Sequence, residues 1–262
     1  MLTLYSEARD FGIYYAPLEM NREQILGSKR YLLDLKNYFE SLNIKVLVIF
    51  EDEWLQNKKM IKEKISHYIQ NSKSKKIYAR KCKIIEIDRK VKSAFLKDNH
   101  VQGDCVSQIN LGLYRDHQLM AVMTFSKPRI LMNKKDKPVG TYELARFATL
   151  SGFHVVGGAS KILKYFKLNF EWVSIFSYAD RRWSDGNLYD VLGFKLTKVN
   201  PMNYHYIVDG KRKHRWAFRK DALRERFPDK YDSSLTEYQN MLNMGYDRIW
   251  DCGTLRYDLT ND

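Results

Sequence analysis

Thr141-Tyr-Glu-Leu-Ala-Arg-Phe-Ala-Thr-Leu150, then Val155-Val-Gly-Gly-Ala159, then Ser160-Lys-Ile-Leu-Lys-Tyr-Phe166: the reading of these three stretches decides the fold. The first alternates apolar and polar residues as a half-buried strand does, the second is a glycine turn, and the third opens an amphipathic helix. The first N–H groups of a helix lack intrahelical partners and carry the positive end of its dipole, so a glycine turn there can receive a pyrophosphate. Val156, Gly157, Gly158, Ala159 and Ser160 are therefore the candidate cofactor-binding residues. A further apolar run, Trp172-Val-Ser-Ile-Phe176, leads into a polar group from Ser177 to Gly186, at the strand end where open α/β sheets bind ligands.

Strand alternation assigns Tyr142, Leu144 and Arg146 to one face and Glu143 and Ala145 to the other. If the first face lines a cleft, Arg146 holds an anionic group and Tyr142 positions a base or acts as an acid; the alternative is an internal pair of Arg146 with a carboxylate such as Asp180. Tyr178 and Asp180 also share a face. Asp180 either accepts a proton from an attacking amine or neutralises Arg181 or Arg182. Tyr142, Arg146, Tyr178 and Asp180 are thus the candidate catalytic residues. His154, His100 with Cys105, and Trp183 are weaker candidates, because none is accompanied by a second ligand or base at a diagnostic spacing.

A chain of 262 residues with 44% hydrophobic content can bury a core of one large or two modest domains. No apolar run reaches the ~18–20 residues of a membrane-spanning helix, and the N-terminus lacks a basic flank followed by an apolar core, so the expected place is the cytoplasm. Cys82, Cys105 and Cys252 are widely spaced, which predicts reduced thiols instead of a disulfide framework or a paired-cysteine zinc site.

The formal net charge of +14 predicts a polyanionic partner, nucleic acid first and double-stranded DNA as its expected form. One basic run comprises Lys73, Lys75, Lys76, Arg80, Lys81 and Lys83. The other comprises Lys211, Arg212, Lys213, His214, Arg215, Arg219 and Lys220, with Arg224 and Arg226 beyond. Trp216 and Phe218 interrupt the second run, a pattern that suits stacking on bases or lying along a groove, or else marks core positions of a strand.

Periodicity predicts a small α/β unit over residues 1–72: a strand at 9–15, a helix at 22–42, a buried strand at 44–50 and a helix at 54–69. Residues 71–76 read as a linker. A larger unit, 77–262, follows with strands at 83–87, 107–114 and 119–125, a helix at 90–99 capped by Asp88, and a loop at 134–138. After the central strand, turn and helix come a short helix at 187–192, paired strands at 194–199 and 204–208, a helix at 236–243 and a strand at 253–259. The fold class is α+β, a mixed sheet with flanking helices, and not a doubly wound nucleotide-binding fold.

That order of elements, with the glycine turn between a central strand and its helix and Leu-Gly-Phe194 near the end, resembles the GNAT N-acyltransferase fold over residues 83–208. The resemblance implies acetyl-CoA or another acyl-CoA as donor. Met123-Thr-Phe-Ser-Lys-Pro128, Tyr142-Glu-Leu-Ala-Arg146 and Ser177-Tyr-Ala-Asp180 resemble segments of phage Mom DNA-modification proteins, which are GNAT-like. The same words, with Val155 to Lys161, Ile249-Trp-Asp-Cys-Gly253, Ile49 to Trp54 and Ala79 to Lys83, resemble phage homing endonucleases of the Hef type. Those attach such a module to a Vsr-like nuclease domain. The resemblance implies DNA binding, Mg2+-dependent cleavage and a phage-infected bacterial host.

Within that resemblance, Gly12-Ile-Tyr-Tyr-Ala16 occupies the Gly-x-Tyr-Trp-His segment, so Ala16 stands where a His belongs and Arg9 falls near a Glu position. The chain also begins after the Asp-bearing strand. The N-terminal unit is therefore expected to be a partial Vsr-like domain whose nuclease residues are missing. Glu51, Asp52 and Glu53 are the remaining candidate metal ligands, or else a helix start whose acids complement the dipole. Three functions stay open: a DNA endonuclease, a transferase placing an acyl-type group on a base or another amine, and a DNA-recognition module without chemistry.

Overall fold

The computed structural model describes residues 3–18, 29–69, 74–130 and 140–261. β1 (Leu4–Ser6) pairs antiparallel with β2 (Phe11–Ala16), and β2 pairs in parallel with β3 (Lys45–Phe50). The crossover between β2 and β3 contains α1 (Tyr31–Ser41); the expected helical residues 22–28 lie outside the described residues. β3 runs directly into α2 (Glu51–Tyr68), whose first turn holds Glu51, Asp52 and Glu53, so the helix starts three residues earlier than periodicity predicts. It departs from helical geometry at Asn57, φ −129° and ψ 30°.

β4 (Lys75–Tyr78) occupies what reads as a linker and pairs in parallel with β10 (Phe153–Val156), Tyr78 opposite Val156. Short strands of this kind give no periodic signal, and only their pairing defines them. β5 (Lys83–Glu86) precedes α3 (Arg89–Asn99), where the Asp88 carboxylate accepts from the Val91 N–H at 2.8 Å, as the capping signal predicts. β6 (Ile109–Arg115), β7 (Gln118–Phe125) and β9 (Gly140–Thr149) continue the antiparallel ladder, with β8 (Arg129–Ile130) on one side of β9. The loop expected at 134–138 lies outside the described residues.

α4 (Gly158–Asn169) then leads to β11 (Ser174–Asp180), parallel to β9, followed by α5 (Asn187–Val191) and β12 (Lys195–Asn200). β13 (Tyr204–Val208) and β14 (Lys211–His214) form a hairpin whose turn residues Asp209 and Gly210 both have positive φ, 52° and 67°. An Asp-Gly pair suits such a two-residue turn. α6 (Lys220–Arg226), α7 (Glu237–Asn243), β15 (Arg248–Trp250) and β16 (Thr254–Thr260) complete the chain. β12 and β13 are not partners: β12 pairs with β16, and β13 lies between β14 and β15.

The chain forms two compact units, each discontinuous in sequence. One comprises residues Met1–Gln56, Asp180–Trp183 and Asn200–Thr254; the other comprises Asn57–Ala179, Ser184–Val199 and Leu255–Asp262. The division expected at 72–77 is thus replaced by one at Gln56/Asn57, and residues 200–254 join the N-terminal unit. The reason is apolar packing: Ile249 and Cys252 are fully buried in one cluster with Val46, Val48 and Phe50, while Ile207 and Met202 pack against it. No sequence-local signal reports such burial between segments 150 residues or more apart.

In the second unit the strands run in the order β12-β16-β11-β9-β7-β6-β5, a mixed sheet with flanking helices. Phe125, Phe166 and Ile175, all buried, lie in the core on the α4 side. Phe95, Leu96, Val122 and Ala148 form the core on the α3 side. No helix among the described residues is long and apolar enough to cross a membrane.

Candidate functional site

Two irregularities in the large sheet set the geometry of the site. β9 and β11 pair over only three positions, Thr141 to Glu143 opposite Ser174 to Phe176, although β9 continues to Thr149 and β11 to Asp180. The strands therefore fork beyond Glu143 and Phe176. On its other edge β9 bulges: Thr124 faces Arg146 and Phe125 faces Leu144, leaving Ala145 as the extra residue.

The bulge overturns the expected face of Arg146. Tyr142 and Leu144 belong to the core on the α4 side, where Phe147 also packs, whereas Ala148 belongs to the core on the α3 side. One inserted residue shifts the alternation, so Arg146 leaves the face of Tyr142 for the opposite one. Its Nη1 donates to the Ala145 carbonyl at 2.7 Å and its Nε to the Gly103 carbonyl at 3.4 Å. Tyr142 is corrected more simply: it is 8% exposed, packs edge-to-face on Phe166 with ring centroids 5.1 Å apart, and is a core residue. Burial first, and the Glu171 charge second, raise its hydroxyl pKa.

The fork carries a hydroxyl pair. Ser177 Oγ lies 2.7 Å from the Leu144 carbonyl on β9 and 2.8 Å from the hydroxyl of Tyr189, on α5; that hydroxyl reaches the Tyr178 carbonyl at 3.4 Å. Burial raises the Tyr189 pKa, and the Ser177 hydrogen bond and the Arg146 charge oppose that effect. The phenol remains protonated at neutral pH. Glu143 also acts on it electrostatically. Tyr189 was missed by sequence reasoning; the signal available was its place two residues into a short helix after the polar stretch 177–186. Gly186, at φ +91°, sets that helix start against Tyr257, whose ring stacks on Tyr189 at 5.0 Å. Tyr178, 38% exposed, packs on Phe176 and lies beside the Arg256 guanidinium.

The glycine turn stands where the sequence places it. Gly157 caps α4 in the left-handed region, φ +72°, and the first turn of the helix, Gly158 to Ser160, contains no acidic residue. Gly158 is buried, and a Cβ there would meet Val155 Cγ1 at 3.0 Å. A Cβ at Gly157 would lie 4.0 Å from that of Ala79, so the 3-10 turn Ala79–Lys81, with exposed Arg80 and Lys81, flanks this helix start. Lys161 instead turns back to the Ala79 and Cys82 carbonyls, at 3.0 and 2.5 Å. The first N–H groups of a helix have no intrahelical partner, exposed Arg80 and Lys81 flank this one, and its first turn holds no carboxylate, a set that suits an anionic diphosphate.

The other unit corrects the metal assignment. Asp52 Oδ1 accepts from Arg212 Nε at 2.7 Å, and Glu53 accepts from Arg182 Nη1 at 3.0 and 2.9 Å and from Arg212 Nη2 at 2.9 Å. Burial alone would raise the Glu53 pKa, but the two guanidiniums outweigh it and hold the carboxyl below its usual range. Glu51 accepts from the Leu18 N–H at 2.9 Å. The carboxylates are thus held by arginines and backbone, and among the described residues no group of three or more His, Cys, Asp and Glu is placed to hold a metal. Asp180 resolves in the same way: its Oδ2 lies 2.6 Å from Arg182 Nη2, the pairing weighed against a catalytic role. Trp183 is buried.

Of the basic run, Lys211, Lys213, Trp216, Arg219 and Lys220 are exposed, whereas Arg212 is committed to Asp52 and Glu53 and Phe218 is core. His214 accepts from the Trp216 N–H through Nδ1, and burial and then Arg215 hold its pKa below the usual imidazole range. His154 is exposed on β10. Cys82, Cys105 and Cys252 are free thiols.

The chain is therefore a mixed α/β protein with one large mixed sheet, flanking helices and a forked parallel strand pair. No family profile matches it. No curated protein matches it either. Among solved structures it is similar to a GNAT family acetyltransferase from Elizabethkingia anophelis with acetyl-CoA bound, at 10% identity over 69% of this chain and 99% of that one, TM-score 0.34. A Bacillus subtilis acetyltransferase in complex with CoA is 14% identical over 70% and 100%, TM-score 0.39. An IAA acetyltransferase from Bacillus cereus is 12% identical over 69% and 99%, TM-score 0.36.

Proposed function

We propose that the large-sheet unit transfers an acyl group from an acyl-coenzyme A to an amine, a GNAT-type N-acyltransfer. The observation that carries the reading is the fork between β9 and β11, with the Tyr189 hydroxyl held at its opening by Ser177. A bound acyl-CoA supplies the acyl carbonyl as a thioester. The N–H groups at Gly158, Ala159 and Ser160 bind its diphosphate, with Arg80 and Lys81 adding positive charge beside the turn. Tyr189, protonated at neutral pH, donates its proton to the departing sulfur, and Glu143 takes one from the attacking amine. The Arg146 charge acts on Tyr189 in the sense that favours release of its proton. The nuclease alternative has less to stand on, because Asp52 and Glu53 are engaged by arginines and leave no open carboxylate pair for a metal.

The test is calorimetric titration with acetyl-CoA, then thiol release from acetyl-CoA across a panel of amines. Binding is expected for wild type and weakened by Gly158→Val. Tyr189→Phe is expected to keep the affinity and lower turnover by about 100-fold or more, the usual weight of a general acid. Absence of acetyl-CoA binding at millimolar concentration sinks the proposal.

A further inference from the structure

Between Lys211 and Lys220, exposed cations flank one exposed aromatic ring. Trp216 sits on the 3-10 turn Arg215–Phe218 and is 57% exposed. The turn itself is anchored. Phe218 is 4% exposed in a core with Tyr206, Leu223 and Met241, and Arg226 Nη1 donates to the Ala217 carbonyl at 3.0 Å. The indole is therefore carried on a fixed backbone while its own ring stays outside the core. The Arg219 guanidinium stands 4.9 Å from the ring centroid. Lys211, Lys213 and Lys220 are exposed on the preceding strand and following helix, and Arg215 lies 5.2 Å over the Tyr204 ring.

A large aromatic surface left in water is ordinary when it is isolated. Here it is joined to a row of cations without an intervening acid: Lys211 to Lys220 contains six Lys and Arg and no Asp or Glu. A protein partner with an acidic surface would use the charges but has no need of the indole face. A duplex offers phosphates but keeps its base faces stacked on one another. A single strand offers both, since every unpaired base presents a π-face and every linkage a charge.

We infer that the β14–Trp216–α6 surface binds single-stranded nucleic acid, with an unpaired base stacked on Trp216 and the flanking Lys211, Lys213, Arg219 and Lys220 tracking the phosphates. This inference is independent of the acyl-transfer proposal, since it involves other residues and another ligand.

The experiment is fluorescence anisotropy of a labelled 20-nucleotide oligo(dT) and of a hairpin duplex, titrated with the full-length protein from about 50 to 300 mM NaCl, the range over which phosphate contacts are strongly attenuated. Wild type is expected to bind the single strand more tightly than the duplex. Trp216→Ala is expected to weaken single-strand binding by roughly 10- to 100-fold, the span measured for base-aromatic stacking, with Trp216→Phe recovering most of it. Lys211→Gln with Lys213→Gln is expected to reduce the slope of log affinity against log salt by about 1.4, two contacts at roughly 0.7 each. Because Trp216 is outside the core, circular dichroism of Trp216→Ala should match wild type. Overturning results are Trp216→Ala within twofold of wild type with its fold intact, duplex binding equal to or tighter than single-strand binding, or binding of neither.

Discussion

Replacing Arg182 with methionine should destabilise the N-terminal unit more than any surface substitution, and the structure says why. The guanidinium side chain is 5% exposed and serves two carboxylates, Glu53 at 2.9 Å and Asp180 at 2.6 Å, while lying 4.5 Å from the Phe50 ring centroid. Methionine retains part of the apolar stem. It leaves Glu53, whose side chain is 8% exposed, with Arg212 as its remaining guanidinium partner. Removing one member of a buried pair costs about 3–5 kcal/mol, because the other charge stays desolvated. With a urea m-value of about 2 kcal/mol/M, the unfolding midpoint should fall by roughly 1.5–2.5 M. Tryptophan fluorescence suits the measurement, since Trp54, Trp183, Trp216 and Trp250, four of the five tryptophans, belong to this unit. Glu53→Gln combined with Arg182→Met removes the stranded carboxylate charge, so the double variant should be more stable than the sum of the single losses, by about 1–3 kcal/mol. Strict additivity, or an Arg182→Met midpoint within about 0.3 M of wild type, would refute the view of this cluster as one coupled network.

Gly186→Ala should loosen the helix that carries Tyr189: at φ +91° the new Cβ would fall 1.9 Å from the Tyr257 hydroxyl, and strain plus overlap cost about 2–4 kcal/mol. Hydrogen exchange followed by mass spectrometry should show lost protection over 187–194 and none lost in the β13–β14 hairpin; unchanged exchange at 187–194 contradicts the packing described. Acid should destabilise the protein early. Burial, then the charges of Arg146 and Lys64, lowers His100 to about 3, and burial, then Arg212 and other cations, lowers His205 to about 4. Against about 6.5 in the unfolded chain, the unfolded state binds more protons across pH 6.5 to 3, so stability is full above that window and falls through it. The depressed Glu53 carboxyl acts in the same sense, its contribution being complete above the ordinary carboxylate value and lost as pH drops through its lower folded one. Urea midpoints should therefore decline steadily from pH 7 to 4, and a flat profile, or a His100 resonance titrating near 6.5, would count against these environments.

What the sequence determined by itself is what neighbours along the chain determine. Asp88 caps α3 through a bond three residues away, Asp209-Gly210 turns a hairpin between adjacent strands, and Gly157 ends β10 and starts α4 in a conformation that suits glycine. Periodicity alone located most of the strands and helices. The tertiary structure decided everything that depended on a partner far away. Asp52 and Glu53 read as a helix start, with metal ligation the lesser alternative, until Arg182 and Arg212, 129 or more positions later, arrive beside them. Arg146 changes face because β7 imposes a bulge on β9, an event with no signature in a run of alternating residues. Tyr189 becomes part of the fork only through Ser177 on another element. The common cause is that side-chain direction and local hydrogen bonds are set within a few residues, whereas register, burial and ion pairing are set by which segments the chain brings together.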